Sequence, residues 1–509
     1  MLPRPLLALS VLGSFLGLAA SARGQRVLLE VKSPVPGADA VTGIFIGDWD
    51  GDGVDDLAIG AARDSTVANL AGAVRVHSGA NGSVLAAFYG TNAIDYFGAY
   101  LARMPDMNGD GVDELAVSAP YADNTGTDTG SVFVYAGRTG ALLMQSDGPS
   151  NLIFYGVPMG PIGDVDGDGV CDLYVSQYGV GDVVHVVSGA DGSEIRTLSG
   201  ATGEYFGLDV SAIHDVDGDG MRDLLIGAKH GQNANGWYTG AAYVVSTASG
   251  TVLRTHLGAF DGEFHGYGTA AVSDLDGDGV PDYAVASKYD DTLWSAMARV
   301  YSGATGNALG KVAAPNKRSV YGTQIVGEGD LNGDGYGDFA MSGWWYDNNG
   351  TGQAATILIS GKTLLVLDRI EVVGLGVVLS PGADQDRDGF TDVIAGIIDS
   401  NFDGKVRVYS GEALWLDVSP SRPSAGVTID FAAREGTTGQ PAILVLEDVD
   451  GTPYFQVVNG LGAFDATGGY TFSATVPNGL AGHDMTFKAY AHDASGHLIA
   501  SAGQGVHFK

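Results

Sequence analysis

Along most of this chain, apolar, β-branched and aromatic residues come in runs of about five, cut apart by glycine-centred turns. Thr42–Gly47, Asp56–Gly60, Ala73–His77, Glu114–Ser118 and Ser131–Tyr135 read as strands of this kind. The dipeptides Asn81-Gly82, Thr139-Gly140, Asp191-Gly192 and Thr305-Gly306 suit tight hairpin turns, which need positive φ. No stretch beyond the N-terminus keeps a long helical period. An all-β fold is therefore expected, and 79 glycines among 509 residues fit it.

One acidic pattern punctuates these runs seven times. It holds acids or asparagine at positions 1, 3, 5 and 9 and glycine at position 6. The ligand positions are Asp48, Asp50, Asp52 and Asp56; Asp106, Asn108, Asp110 and Glu114; Asp164, Asp166, Asp168 and Asp172; then Asp215, Asp217, Asp219 and Asp223. The series continues with Asp274, Asp276, Asp278 and Asp282; Asp330, Asn332, Asp334 and Asp338; and Asp384, Asp386, Asp388 and Asp392. Successive starts lie 58, 58, 51, 59, 56 and 54 residues apart. A period of that size, holding four short strands, is a propeller blade, and a blade must stack on its neighbours to cover both faces. The expectation is a seven-bladed β-propeller over residues 26–411, with the acidic loop joining the first two strands of each blade.

Converging oxygens at such spacing form a cage for one hard cation, and the glycine permits the sharp turn. Ca²⁺ suits dense all-oxygen ligation better than Mg²⁺, and Zn²⁺ would call for nitrogen or sulfur. An EF-hand is excluded, because position 12 is Ile59 in the first loop and Val175 in the third, both inside strands. Up to seven Ca²⁺ are expected. Of the 60 acids, 26 stand at ligand positions, so seven ions would move the formal charge from −34 to −20. The remaining negative surface argues against nucleic acid or an anionic membrane as partner.

The ends differ from the repeat. Arg4, the apolar run Leu6–Ala19 and the small residues Ala20, Ser21 and Ala22 read as a signal peptide over residues 1–22. No later run is long enough for a membrane helix, which points to a secreted, periplasmic or cell-surface monomer. Residues 412–509 lack the acidic pattern but carry alternating runs at Val427–Phe431, Ala442–Leu446, Tyr470–Ala474 and Met485–Ala489, read as a small β-sandwich. Either Glu412–Leu416 or Arg26–Val31 can supply the outer strand of the seventh blade. The N-terminal run is preferred, since Trp415–Val418 can then open the sandwich. The one cysteine, Cys171, reads as a small packed residue.

The repeats resemble the FG-GAP family, whose best-known members are the integrin α-subunit propellers. The resemblance rests on Phe97-Gly98, Phe206-Gly207 and the variants Tyr155-Gly156, His265-Gly266 and Tyr321-Gly322, each 9 residues before its acidic loop, and on Ser118-Ala119-Pro120. It spans Val41–Ser410 and implies a seven-bladed propeller with calcium in the first hairpin of each blade. The seventh repeat has Val373-Gly374 instead, and the first lacks a Phe-Gly pair. Seven acidic loops look more like the bacterial secreted relatives than like integrins, which carry calcium in only some blades.

Strand parity puts the acidic loops on one face and the loops between second and third strands on the other. The latter, Tyr121–Asp128, His230–Tyr238, Tyr289–Trp294, Trp344–Asn349 and Asp399–Asp403, are rich in aromatic residues beside amides and carboxylates. Tyr121, Trp237, Tyr238, Trp294, Trp344, Trp345 and Tyr346 are the candidate contacts for an extracellular protein or a glycan. Packing over neighbouring blades is the competing fate of each. No Gly-x-Ser-x-Gly elbow or His-Glu-x-x-His occurs, and Gly361-Lys362-Thr363 has Thr356 where a phosphate loop needs glycine. A recognition or adhesion module is the expected class, a carbohydrate-binding lectin the alternative, and a propeller-type polysaccharide-active enzyme a further one.

Overall fold

The computed structural model describes residues 27–32, 37, 40–150, 154–177, 182–289, 296–313, 320–327, 329–331, 336–346, 352–364, 366–372, 376–385, 391–398 and 404–409. Beyond these it describes the strands between 415 and 507. The proposed signal peptide lies outside them. Among the described residues every regular element is a strand, and no helix is long and apolar enough to cross a membrane.

Seven antiparallel four-stranded sheets follow one another along the chain. Their first strands are Ala40–Phe45, Leu101–Met104, Tyr155–Gly163, Phe206–Ala212, His265–Ala271, Val320–Gly327 and Gly376–Ala383. Each first strand touches the first strand of the next blade, and Gly376–Ala383 touches Ala40–Phe45, so the seven close a ring. The outer strand of the seventh blade is Val27–Lys32, which pairs antiparallel with Gly404–Tyr409. Ring closure thus joins the two ends of the propeller, and Arg407 reaches across the seam to Glu30 at 2.6 Å. The chain divides into two compact units, Arg26–Glu412 and a unit containing Ala413–Lys509. In the second, Trp415–Ser419 edges a three-stranded sheet, and five further strands form another.

The core lies between blades. Ile46, Val74 and Val76 of the first blade pack with Phe97, Leu101, Leu115 and Val117 of the second. Phe45, Leu57 and Ile59 pack with Ile394, Val406 and Val408 of the seventh. Second strands such as Leu57–Ala61 and Leu224–Ala228 are buried at every position because both their faces are covered. Outer strands such as Val84–Tyr89 retain an exposed face.

Blades approach closely at the Phe-Gly pairs. Gly98 has φ +87°, and a β-carbon there would stand 2.7 Å from the carbonyl oxygen of Ala73 in the preceding blade. Phe97 forms a parallel bridge with Gly72, and its ring joins the interblade core. The pair therefore couples a backbone contact to apolar burial at the same junction.

Candidate metal centres and the opposite face

In the first acidic loop, Asp48 accepts backbone N–H bonds from Gly51 at 2.7 Å, Asp52 at 3.0 Å and Gly53 at 2.8 Å. Asp52 accepts from Val54 at 2.8 Å. Asp56 is fully buried; one oxygen accepts from Trp49 and Asp50, the other from Gly79 in the hairpin between the third and fourth strands. These bonds fold the loop inward. They recur around Asp164, Asp215 and Asp274, so one local code builds each site.

Four groups emerge among the described residues, each with carboxylate oxygens within 4.8 Å of one another: Asp48, Asp50 and Asp56; Asp164, Asp166 and Asp172; Asp215, Asp217 and Asp223; Asp274, Asp276 and Asp282. They bring together positions 1, 3 and 9. Position 5, occupied by Asp52, Asp168, Asp219 and Asp278, stands outside each group and caps the N–H of position 7. In the second loop Asp106 and Asp110 keep the same backbone bonds, while Asn108 donates to Glu114 at 2.7 Å. Asp338 and Asp392 are buried and accept N–H bonds from Leu331 and Gln385, as position 9 does elsewhere. Asp330 and Asp384 lie at the start of their loops; Asn332, Asp334, Asp386 and Asp388 fall outside the described residues.

The electrostatics fit a cation. Burial pushes Asp56 up to about 6, Glu114 up to about 7 and Asp223 up to about 6, and neighbouring loop carboxylates push the same way. Asp106 and Asp215 are held below the usual range by the N–H groups of Gly111 and Gly220. A buried carboxylate beside two others is costly without a positive charge, and an all-oxygen set selects a hard ion. The site residues thus suit a metal ion.

Two supports were not legible as such in the repeat. At position 2, the Trp49 indole donates to the Asp113 carbonyl of the second loop at 3.1 Å, and Gln385 donates to the Asp55 carbonyl at 2.8 Å, linking seventh and first loops. Gly79, Gly189, Gly303 and Gly361 each donate to the position-9 carboxylate of their own blade. The recurring Ser-Gly dipeptide was their signal. In the fourth blade Thr247 stands there, and Asp223 Oδ1 meets no protein donor.

Cys171, at position 8 of the third loop, is half-buried, and burial raises its thiol pKa. Alkylation by iodoacetamide at neutral pH, followed by mass spectrometry, is expected to be slow in the folded protein and fast after denaturation. Equal rates would place this thiol on an open surface.

On the opposite face, Tyr121 is 38% exposed, but its ring sits between Tyr96 at 5.0 Å and Phe154 at 4.7 Å. Trp237 and Tyr238 are 51% and 49% exposed. A turn holds Trp237: Gln232 bridges Tyr238, and Asn233 Oδ1 accepts from Asn235 and Trp237. Trp294 falls outside the described residues. Trp344, Trp345 and Tyr346 do not open a loop; they end strand Phe339–Tyr346, opposite Ala354, Gln353 and Gly352. An aromatic run favours continued strand pairing, which lengthens this hairpin.

A match to the FG-GAP repeat family covers residues 104–135, which run from the end of one first strand through the acidic loop to the third strand. The second repeat matches an FG-GAP repeat. Integrin alpha-V of Gallus gallus is 30% identical over 205 residues, 36% of this chain and 19% of that protein. Integrin alpha-5 of Xenopus laevis is 27% identical over 229 residues, 40% and 21% respectively. Integrin alpha-PS2 of Drosophila melanogaster is 30% identical over 210 residues, 36% and 15%. The chain thus spans only 15–21% of the length of these curated relatives.

Within this propeller, the residue before the Phe-Gly pair is aromatic and left-handed in four consecutive blades: Tyr96 (φ 53°), Phe154 (49°), Tyr205 (57°) and Phe264 (55°). Bulky residues adopt that conformation at a cost of about 1–3 kcal/mol each. Their rings interleave with the start of the following loops. His230 meets Tyr205 at 4.7 Å and Phe264 at 5.5 Å, and Phe264 meets Tyr289 at 6.1 Å. These aromatics escaped the sequence reading because each precedes its motif and reads as ordinary strand.

Proposed function

We propose that this chain is a secreted or cell-surface recognition module of the adhesion class. Its acidic loops hold up to seven Ca²⁺ as fasteners, and its opposite face binds an extracellular protein or glycan. The observation that carries this reading is the division of labour between the faces. One carries a single metal-ready code; the other carries left-handed aromatics before four of the Phe-Gly pairs and exposes Tyr205, Trp237 and Tyr238. The likeness to integrin α chains supports recognition as the class. Ca²⁺ follows from the all-oxygen groups and the uncompensated charge of their buried carboxylates.

Trp237 favours carbohydrate as the second reading. Half of the side chain is exposed, its turn is fixed by Asn233, and its indole N–H has no partner among the described residues. A flat ring beside amides suits C–H stacking against sugars. Trp237→Ala is expected to weaken binding about tenfold or more on glycan and extracellular-protein arrays, with the melting temperature in calcium unchanged. Undiminished array binding would remove this face from the proposal, and depolymerised glycan in the supernatant would reassign the protein as an enzyme.

A further inference from the structure

The junction of the fourth and fifth blades on this face holds two lysines among aromatic rings. Lys229 Nζ lies 4.4 Å from the Tyr205 ring centroid and 5.7 Å from that of Tyr267. Lys288 Nζ lies 5.8 Å from Tyr267, 5.8 Å from Phe264 and 5.5 Å from Tyr289. Two ammonium groups therefore flank one tyrosine. We propose that this junction binds an acidic glycan, whose anionic groups stand between Lys229 and Lys288 while its sugar rings lie on the neighbouring aromatics. The proposal rests on the recognition reading of this face and names its ligand class.

Three observations carry it. First, the cations are unpaired: among the described residues, no carboxylate forms an ion pair with either lysine. Among the described residues, the nearby acids have other partners: Asp182 accepts from the Gly203 N–H. Buried Glu263 accepts from Ser287 and Arg299, Asp261 accepts from the Tyr238 N–H, and Glu204 takes the Tyr243 hydroxyl. In a chain of formal charge −34, two neighbouring lysines with no ion-paired carboxylate among the described residues run against the electrostatic trend. Second, their proximity is costly: burial lowers the Lys229 pKa, and the Lys288 charge lowers it further. An anion between them relieves both effects. Third, the surround is flat and apolar. Tyr205, Trp237 and Tyr238 are 37%, 51% and 49% exposed, and Trp237 and Tyr238 share one fixed turn. Exposed rings beside a paired positive charge match a sugar chain bearing acidic groups better than an acidic peptide, which offers carboxylates but few faces to stack.

The test titrates the full-length protein in calcium buffer with hyaluronan oligosaccharides, chondroitin sulfate oligosaccharides, carboxyl-reduced hyaluronan and an oligo-glutamate peptide. At least one acidic glycan is expected to bind, with binding lost to carboxyl reduction or desulfation and weakened by salt. Lys229→Gln with Lys288→Gln is expected to weaken it about tenfold or more, and Lys229→Arg with Lys288→Arg to retain it. Melting curves establish that all variants fold. Failure of both acidic glycans, undiminished binding by the double glutamine variant, or equal binding of oligo-glutamate would overturn the proposal. If another glycan or protein binds and is lost in Trp237→Ala but not in the lysine variants, the recognition face stands and only its anionic ligand falls.

Discussion

Removing metal with EDTA at about pH 7.5 is expected to lower the midpoint of thermal unfolding by about 10–20 °C, and by much less at about pH 5. The size follows from the number of sites, since each ion bound only by the folded chain adds its own stabilisation. The pH dependence follows from position 9. Asp56 and Asp223 rise from 3.8 to about 6, and Glu114 from 4.5 to about 7, mainly through burial. The metal-free folded state therefore keeps these protons at pH values where the unfolded chain has released them. Stability from that difference is fully present below the unfolded values, is lost as pH rises through the window, and stays lost above about 7. A bound metal ion would answer the charge that appears there, so its expected contribution is greatest at neutral pH, and protons compete with it on acidification. Calorimetry with and without EDTA at both pH values, with metal removal checked by elemental analysis, decides the matter. An unchanged melting curve would leave the acidic loops without a structural metal.

How much could be read from residues alone depended on the range of each interaction. The acidic loop is legible because its bonds close within nine positions: Asp48 caps Gly51 and Gly53, and Asp56 reaches back to Trp49. Seven copies of a local code gave the blade count. The pairing of Val27–Lys32 with Gly404–Tyr409 joins opposite ends of the propeller, and only a preference could be drawn from the sequence. The Trp344–Tyr346 run was misplaced because aromatic residues suit a loop contact and a strand end equally, and here the strand prevails. Tyr121 lies between the rings of Tyr96 and Phe154 yet stays exposed, so it fits both a packed cap and a contact. Lys229 and Lys288 carried no signal, since single lysines in an acidic chain read as solvated charge. Only the ring of blades brings them to one tyrosine.

Gly266→Ala is expected to lower the melting temperature in calcium by about 8–15 °C, against about 2–5 °C for Gly262→Ala. Both glycines have φ +81°, so both substitutions incur the left-handed penalty of a β-carbon. They differ in space. At Gly262 nothing lies within 4 Å of the added carbon, whereas at Gly266 it would stand 1.9 Å from the Ala241 carbonyl oxygen and 3.0 Å from the Ala228 nitrogen. Neither obstacle is a side-chain end that can swing aside; both are backbone of the fourth blade. The fifth blade would have to lift from its neighbour, breaking the Gly240–His265 bridge and separating strands Leu224–Ala228 and Tyr283–Ser287, which Lys229 and Lys288 directly follow. The difference between the two variants therefore measures the interblade approach alone. If they lose equal stability, the glycine of the Phe-Gly pair serves only its own backbone angle. If Gly266→Ala loses several times more, that glycine is required by the blade beside it, and the spacing of neighbouring blades is set where the lysine pair sits.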